Sequence, residues 1–254
     1  MEARVRIGYV IDGYVLEEMI GSGGFSTVYR ARSLNLTPKY HSIIAVKVLH
    51  PRRLDRWQIR RFVREVKIAS RLEHPNIVKV FGVRKQDGNF FSLMELLDVD
   101  LLKAIRTKPS IFNNDNVTEI IKKAGYGLEY IHKNAIIHKD VNPSNILITY
   151  ALDKIKLTDF GLSTKKTLLL SLLHPNGNSS GGGTEGYIAP ERIKGKEGDI
   201  KSDIFSFGKT MQRIYSELKF EIPENTKYVI DVATKNNSME RFVDMRELLY
   251  FLDR

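Results

Sequence analysis

His138-Lys139-Asp140-Val141-Asn142-Pro143-Ser144-Asn145 is followed, fourteen residues after Asn145, by Asp159-Phe160-Gly161. Asp140 is a carboxylate that can accept a hydroxyl proton, and Asn145 with Asp159 offers, from two neighbouring loops, the oxygen ligands that Mg²⁺ prefers. Upstream, Ala45-Val46-Lys47 reads as a β-strand that sets a lysine among apolar residues, where an unpaired charge is costly to bury. Glu65, beside the apolar face of the following helix, can point inward to supply the counter-charge. Earlier still, Gly21-Ser22-Gly23-Gly24-Phe25-Ser26 lies between two strand-like runs, and its glycines let backbone N–H groups approach a polyphosphate without Cβ obstruction. A loop between two strands argues against a dinucleotide fold, whose glycine loop opens a helix. Downstream stand Gly183-Thr184-Glu185-Gly186-Tyr187-Ile188-Ala189-Pro190-Glu191, then Asp203-Ile204-Phe205-Ser206-Phe207-Gly208, then Arg241.

The 254 residues have an ordinary globular composition, 42% apolar and 28% charged, and a length that suits one large domain or two small ones. With no cysteine, a disulfide framework, a thiolate metal cage and a cysteine nucleophile are excluded. Met1 to Val10 has no apolar core with a small-residue cleavage site, and the Leu168–Leu173 run is far shorter than the about 20 residues a membrane span takes. The expectation is a soluble, cytoplasmic protein with no membrane span.

The net charge of +10 is uneven: residues 1–96 hold 17 Lys+Arg against 9 Asp+Glu, residues 97–254 hold 23 against 21. Within the first part, Arg52, Arg53, Arg56, Arg60, Arg61, Arg64, Lys67 and Arg71 face only Asp55 and Glu65. Such a stripe suits a nucleic acid, an anionic membrane or an acidic partner protein, although a solvated helix face is the commoner use of one.

Runs at Tyr14–Leu16, Thr27–Ala31 and Ile43–Val48 read as antiparallel strands. Ile59, Phe62, Val63, Val66 and Ala69 keep the helical period and predict an amphipathic helix over about Arg56–Arg71, closed off by Pro75. Two further strand-like runs, Ile77–Gly82 and Phe90–Leu96, precede a change to helical periodicity near Leu97. Beyond it, Val117, Ile120, Ile121, Ala124, Leu128 and Ile131 mark the buried face of a long helix, and Ile146–Ile148 with Ile155–Leu157 a small hairpin. The run His174 to Gly183, HPNGNSSGGG, is a flexible loop by composition.

Taken in order from about Tyr14 to Leu252, these motifs resemble the signature set of the eukaryotic-type Ser/Thr protein kinases. The resemblance implies a single α+β, two-lobed kinase domain over 1–254: a small β-rich N-lobe to about 96 with one main helix, a larger helical C-lobe from 97, and ATP in the cleft. It implies that Gly21, Ser22, Gly23, Gly24, Phe25 and Ser26 cover the phosphates and that Lys47, oriented by Glu65, holds them. Ile20, Val28 and Ala45 join the ATP site, Met94 is the gatekeeper, and the backbones of Glu95 and Leu97 meet the adenine edge. Asp140 is then the catalytic base, and Asn145 and Asp159 hold Mg²⁺, or Mn²⁺ in its place. Glu191 with Arg241 resembles a bracing ion pair, and Asp203 the carboxylate that fixes the catalytic-loop backbone.

There are departures from the pattern. Asn142 stands where the Ser/Thr branch usually has a lysine reaching the γ-phosphate, so Asn142→Lys is expected to speed transfer unless another cation already serves. Lys139 replaces an arginine and lacks its bidentate grip on a phosphorylated loop. Ser26 replaces the third glycine, and only about ten residues separate Tyr215 from the next helical stretch near Thr226, too few for the usual substrate-docking helix. Thr184, Pro143 and the Gly-Thr-x-x-Tyr-x-Ala-Pro-Glu pattern favour Ser/Thr over Tyr as acceptor. Thr164, Thr167, Ser171, Ser179 and Ser180 are candidate autophosphorylation sites, and the Leu168–Leu173 leucines are expected to pack on the cleft or on a second copy. The alternative to an active kinase acting on protein substrates is a pseudokinase, an ATP-binding scaffold recruiting an acidic partner through Arg52–Arg71.

Overall fold

The computed structural model describes residues 5–23, 26–49, 56–159, 164–165 and 183–254. Gly24, Phe25, Arg52 and Arg53, Phe160, Gly161 and the Leu168–Leu173 run lie outside them, as do Thr167, Ser171, Ser179 and Ser180. The chain forms two compact units, one of residues 1–73 and 78–96, the other of 74–77 and 97–254.

The first unit is built on an antiparallel sheet in the order β1-β2-β3-β4-β6-β5. Its strands are β1 (Val10–Ile11), β2 (Tyr14–Ser22), β3 (Ser26–Ser33), β4 (Ile43–Leu49), β5 (Val80–Gln86) and β6 (Asn89–Met94). Side chains alternate across a strand, and here the alternation separates two tasks. One set of positions, including Leu16, Ala31, Ile44, Val46, Val48, Phe91 and Leu93, is buried in a single apolar cluster with Ile11 and Tyr14. Tyr9, stacked on Phe91 with centroids 5.7 Å apart, and Val5 close that cluster from the N-terminal side. Glycine or polar residues at the turns end each run, and α1 (Arg56–Ala69) follows β4.

The strand expected at Ile77–Gly82 begins instead at Val80. Ile77 belongs to the other unit, bridged to Leu157, while Val80 pairs with Met94. One apolar run therefore serves two cores.

The second unit is mainly helical: α2 (Leu101–Thr107), α3 (Asn114–Lys133), α4 (Pro190–Ile193), α5 (Ile200–Leu218), α6 (Glu224–Ala233) and α7 (Met245–Leu252). α3 starts at a capping box in which Asn113 and Asn116 each accept from the other's backbone N–H at 2.9 Å, and it buries all six apolar positions read from its period. α5 starts the same way, with Asp199 accepting from Ser202 N–H at 2.8 Å, and ends at Lys219 in the left-handed region. Residues 219–223 link α5 directly to α6. Short strands β7 (Val99–Asp100), β9 (Ile146–Ile148) and β10 (Ile155–Leu157) form a three-stranded sheet, and β8 (Ile136–Ile137) pairs with β11 (Thr164–Lys165). Among the described residues no helix is long and apolar enough to cross a membrane.

Packing in the second unit leaves no room at Gly127 on α3, where an added Cβ meets the Asn76 carbonyl oxygen at 2.5 Å. That oxygen also accepts from Leu157 N–H at 2.9 Å, so the backbone cannot give way without breaking a bond. Gly127→Ala should lower the unfolding free energy by about 1–3 kcal/mol despite alanine's better helix propensity. A urea midpoint equal to or above that of the parent would show that α3 shifts freely.

Candidate active site

In the first unit, strand register gathers the residues singled out for nucleotide. Gly21 pairs with Val28, Val28 with Lys47, and, two residues along β4, Ala45 pairs with Met94. Directly paired residues, and residues two apart on a strand, share a face. Gly21, Val28, Ala45, Lys47 and Met94 therefore lie on the face opposite the apolar cluster. Lys47 is half-buried between buried Val46 and Val48, and Glu65 is 8% exposed on α1. Glu95 accepts from Lys79 N–H at 2.5 Å and returns its own N–H to the Lys79 carbonyl, which fixes the backbone after Met94. Ile20 and Ser22 lie at the end of β2, and Gly23, which follows it, donates its N–H to the Ser26 carbonyl at 2.8 Å. Leu97, also singled out, is buried at the start of the second unit. Arg60, Arg64 and Lys67 are exposed on α1, and Arg71 is exposed just beyond it.

In the second unit, Asp203 on α5 is fully buried and organises the loop ahead of Asp140. Its Oδ2 accepts from His138 N–H at 2.7 Å and its Oδ1 from Lys139 N–H at 2.8 Å, while His132 Nε2 lies 2.9 Å from Oδ2. Burial, the largest influence, pushes the Asp203 carboxyl up, but His132, His138 and the Lys139 N–H together hold it below the ordinary range. Lys139 takes φ 71°, a left-handed conformation that non-glycine residues adopt rarely. Its carbonyl accepts from Arg192 Nη1 at 2.6 Å, and burial pushes that guanidinium's pKa down.

The strained turn delivers Asp140 into a ring of donors. Oδ1 accepts from Thr184 N–H at 2.8 Å, Thr184 Oγ1 at 2.9 Å and Asn142 Nδ2 at 3.1 Å, and Oδ2 accepts from Asn145 Nδ2 at 3.0 Å. Asn142 is buried; its Oδ1 accepts from Ser144 N–H at 2.9 Å, capping the 3₁₀ turn Pro143–Asn145, and its Nδ2 also donates to Thr184 Oγ1 at 3.1 Å. Asn145 spends its amide on the carboxylate and carbonyl of Asp140, and its Oδ1 accepts no hydrogen bond among the described residues. That free amide oxygen and the exposed carboxylate of Asp159 are hard oxygen donors of the kind a divalent cation takes. Asp159, at φ 62°, follows Thr158, whose N–H donates to the Asn145 carbonyl at 2.9 Å and whose carbonyl meets His138 Nε2 at 3.0 Å.

The Glu191–Arg241 pair is bidentate, at 2.7 and 2.8 Å, and Arg241 also donates to the carbonyls of Lys235, Lys201 and Asn236. Burial pushes the Glu191 carboxyl up, and Arg241 more than offsets it, leaving it below the ordinary range. Two contributors escaped sequence reading: His132, 71 residues from Asp203, and Thr184 as the partner of Asp140, 44 residues away. No short-range pattern announces either contact.

A family model described as "Protein kinase domain" matches residues 14–247. The chain belongs to the protein kinase family. The kinase domain is 31% identical over 236 residues to Serine/threonine-protein kinase PrkC of Bacillus subtilis (strain 168), covering 92% of this chain and 35% of that protein. It is 33% identical over 224 residues to Probable serine/threonine-protein kinase CPE1738 of Clostridium perfringens (strain 13 / Type A), covering 88% of this chain and 31% of the relative. Serine/threonine-protein kinase pkn3 of Myxococcus xanthus is 32% identical over 235 residues, 89% of this chain and 41% of that protein. The kinase domain thus spans about a third of the length of these relatives. The family uses ATP with a divalent metal and acts on protein substrates.

Asp203 and Glu191 both titrate below their unfolded values, so the stability they contribute is complete above the ordinary carboxylate range, about pH 4, and is lost as the pH falls through their folded values. Urea midpoints of the kinase domain should therefore fall on acidification below about pH 4. Glu191→Gln should cost about 3 kcal/mol at pH 7, because it strands a buried guanidinium, and should make the acid limb shallower. An unchanged limb in that variant would remove Glu191 from the linkage.

Proposed function

We propose that this kinase domain transfers the ATP γ-phosphate to Ser or Thr hydroxyls of protein substrates, with the two compact units, which divide near residues 96 and 97 apart from the 74–77 segment, acting as the lobes of one catalytic domain. The observation that carries the reading is the Asp140 carboxylate, held by Thr184, Asn142 and Asn145, with Asp159 following Thr158, whose N–H is bonded to the Asn145 carbonyl. Three donors occupy Oδ1 and one occupies Oδ2, so Oδ2 keeps a lone pair for a proton. The acceptor hydroxyl gives its proton to Asp140 as its oxygen bonds the γ-phosphorus; the bond from that phosphorus to the β,γ-bridging oxygen breaks, and ADP leaves.

Lys47, oriented by Glu65, holds the α- and β-phosphates under the Gly21–Ser26 turn, with Ile20, Val28, Ala45 and Met94 and the backbones of Glu95 and Leu97 around the base. Asn145 Oδ1 and Asp159 would hold Mg²⁺, which when bound would offset charge on the nucleotide phosphates. Asn142 acts by positioning: it brings no charge to the phosphate, and it ties Asp140 to Thr184. The Thr184 hydroxyl, which donates to Asp140 and accepts from Asn142, is part of that frame, and Ser/Thr acceptors are supported by the named relatives.

Transfer of labelled γ-phosphate to a generic basic protein and to the chain itself, with Mg²⁺ or Mn²⁺, tests the reading. Asp140→Asn should lose about 10²–10⁴-fold in rate, and phosphoamino-acid analysis should return phosphoserine or phosphothreonine. Nucleotide binding without transfer would favour the scaffold alternative, with the exposed stripe of α1 as its acidic-partner surface. Thr184→Ala should lower kcat about tenfold by freeing the Asp140 carboxylate, while Thr184→Ser restores it. Equal kcat in all three would dismiss the hydroxyl's role.

A further inference from the structure

A cavity of about 900 Å³ opens beside the segment that holds Asp140. Thr184 donates twice to Asp140, and the next three residues, Glu185, Gly186 and Tyr187, form one wall of the cavity. Consecutive Cα atoms are about 3.8 Å apart, so this wall starts a single residue from the carboxylate's partner. The wall is pinned to α5, because Ser206 Oγ donates to the Tyr187 carbonyl at 2.7 Å. The far side comes from the second half of α5 and from Phe220 and Ile222 in the 219–223 link.

The charge in this cavity is lopsided. Lys209, Arg213 and Lys219 line it against a single carboxylate, Glu185. Lys209 Nζ donates to Gln212 Oε1 at 2.7 Å, a neutral partner that leaves its charge uncompensated. Lys219 is exposed and makes no ion pair among the described residues. Arg213 and Arg106 share one carboxylate, Glu217, so that cluster also carries a net positive charge. Cations around a cavity with apolar wall residues, Phe220 and Ile222, fit a side chain with an aliphatic stem and an anionic end.

We infer that this cavity selects polypeptide substrates with acidic residues within a few positions of the acceptor hydroxyl. The inference rests on the reading of Asp140 as the base, since that is what sets the hydroxyl beside Thr184. An extended chain advances about 3.3–3.6 Å per residue, so a hydroxyl at Asp140 carries its near neighbours along the Glu185–Tyr187 wall. The outcome is specificity by charge, expressed in KM and in salt sensitivity more than in the chemical step.

The test uses threonine peptides whose flanking residues, on each side of the acceptor in turn, are Asp, Ala or Lys. The parent should phosphorylate the Asp series with about tenfold higher kcat/KM than the Ala series, the scale of two or three exposed charge pairs. The double variant Lys209→Glu/Lys219→Glu should reverse the order in favour of Lys while leaving transfer to the Ala series unchanged. No preference for Asp in the parent, or a preference that survives charge reversal, overturns the inference. If the parent phosphorylates no peptide, the kinase reading itself is at fault. Anisotropy of a fluorescein-labelled Asp peptide on Asp140→Asn protein then decides the cavity separately: binding lost on charge reversal sustains it, and no binding ends it. A dimer that dissociates on the same reversal would place a second copy of the chain there and also overturn it.

Discussion

The buried carboxylate of Asp203 is the constraint on which the second unit's loop at Asp140 depends. A charge removed from water is tolerated only when its lone pairs are filled, and here two consecutive backbone N–H groups and one histidine ring fill them. Those same N–H groups belong to His138 and Lys139, so satisfying the charge dictates the path of the loop. The left-handed turn at Lys139 follows, and it is offset by the strength of charge-assisted hydrogen bonds on both sides. Asp140 then emerges facing Thr184, Asn142 and Asn145 without having to find them.

The first unit solves a different problem with the alternation of a pleated sheet. One face is spent on burial, and its apolar residues hold the strands in register. A slip of one residue would bring Lys47 into the apolar cluster and Val46 to the opposite face, so the core that stabilises the sheet also places the lysine. Gly21 and Val28 fall in line with Lys47 for the same reason. Position is obtained here from hydrophobic burial, whereas in the second unit it comes from hydrogen bonds to a buried charge.

Much of this was legible in the residues themselves. The period of α3 named its buried face, and the β9/β10 hairpin lies at the residues its apolar runs marked. The loop motifs carry their chemistry in short, dense words, which is why Asp140, Asn145 and Asp159 stood out. What escaped was contact across long separations. His132 reads as an ordinary residue near the end of a helix, and only the folded chain brings its ring to Asp203. The run from Ile77 misled because apolarity marks burial without saying in which core: Ile77 joins Leu157, and Val80 joins Met94. Likewise, nothing in the spacing of Lys209, Arg213 and Lys219 announces a cavity until α5 is set against the Glu185–Tyr187 segment.

The contacts of Asp203 span 64, 65 and 71 residues of chain. Closing loops of that length costs entropy that local helices never face, so such contacts come late in folding. During synthesis, the loop bearing Asp140 leaves the ribosome well before α5 does, and its His138 and Lys139 N–H groups lack their acceptor until Asp203 arrives. A nascent or truncated chain that ends before residue 203 would leave the backbone leading into Asp140 without the carboxylate that holds it. Dependence on a distant carboxylate thereby ties the set of this loop to the arrival of α5, with α6 and α7 still to be made.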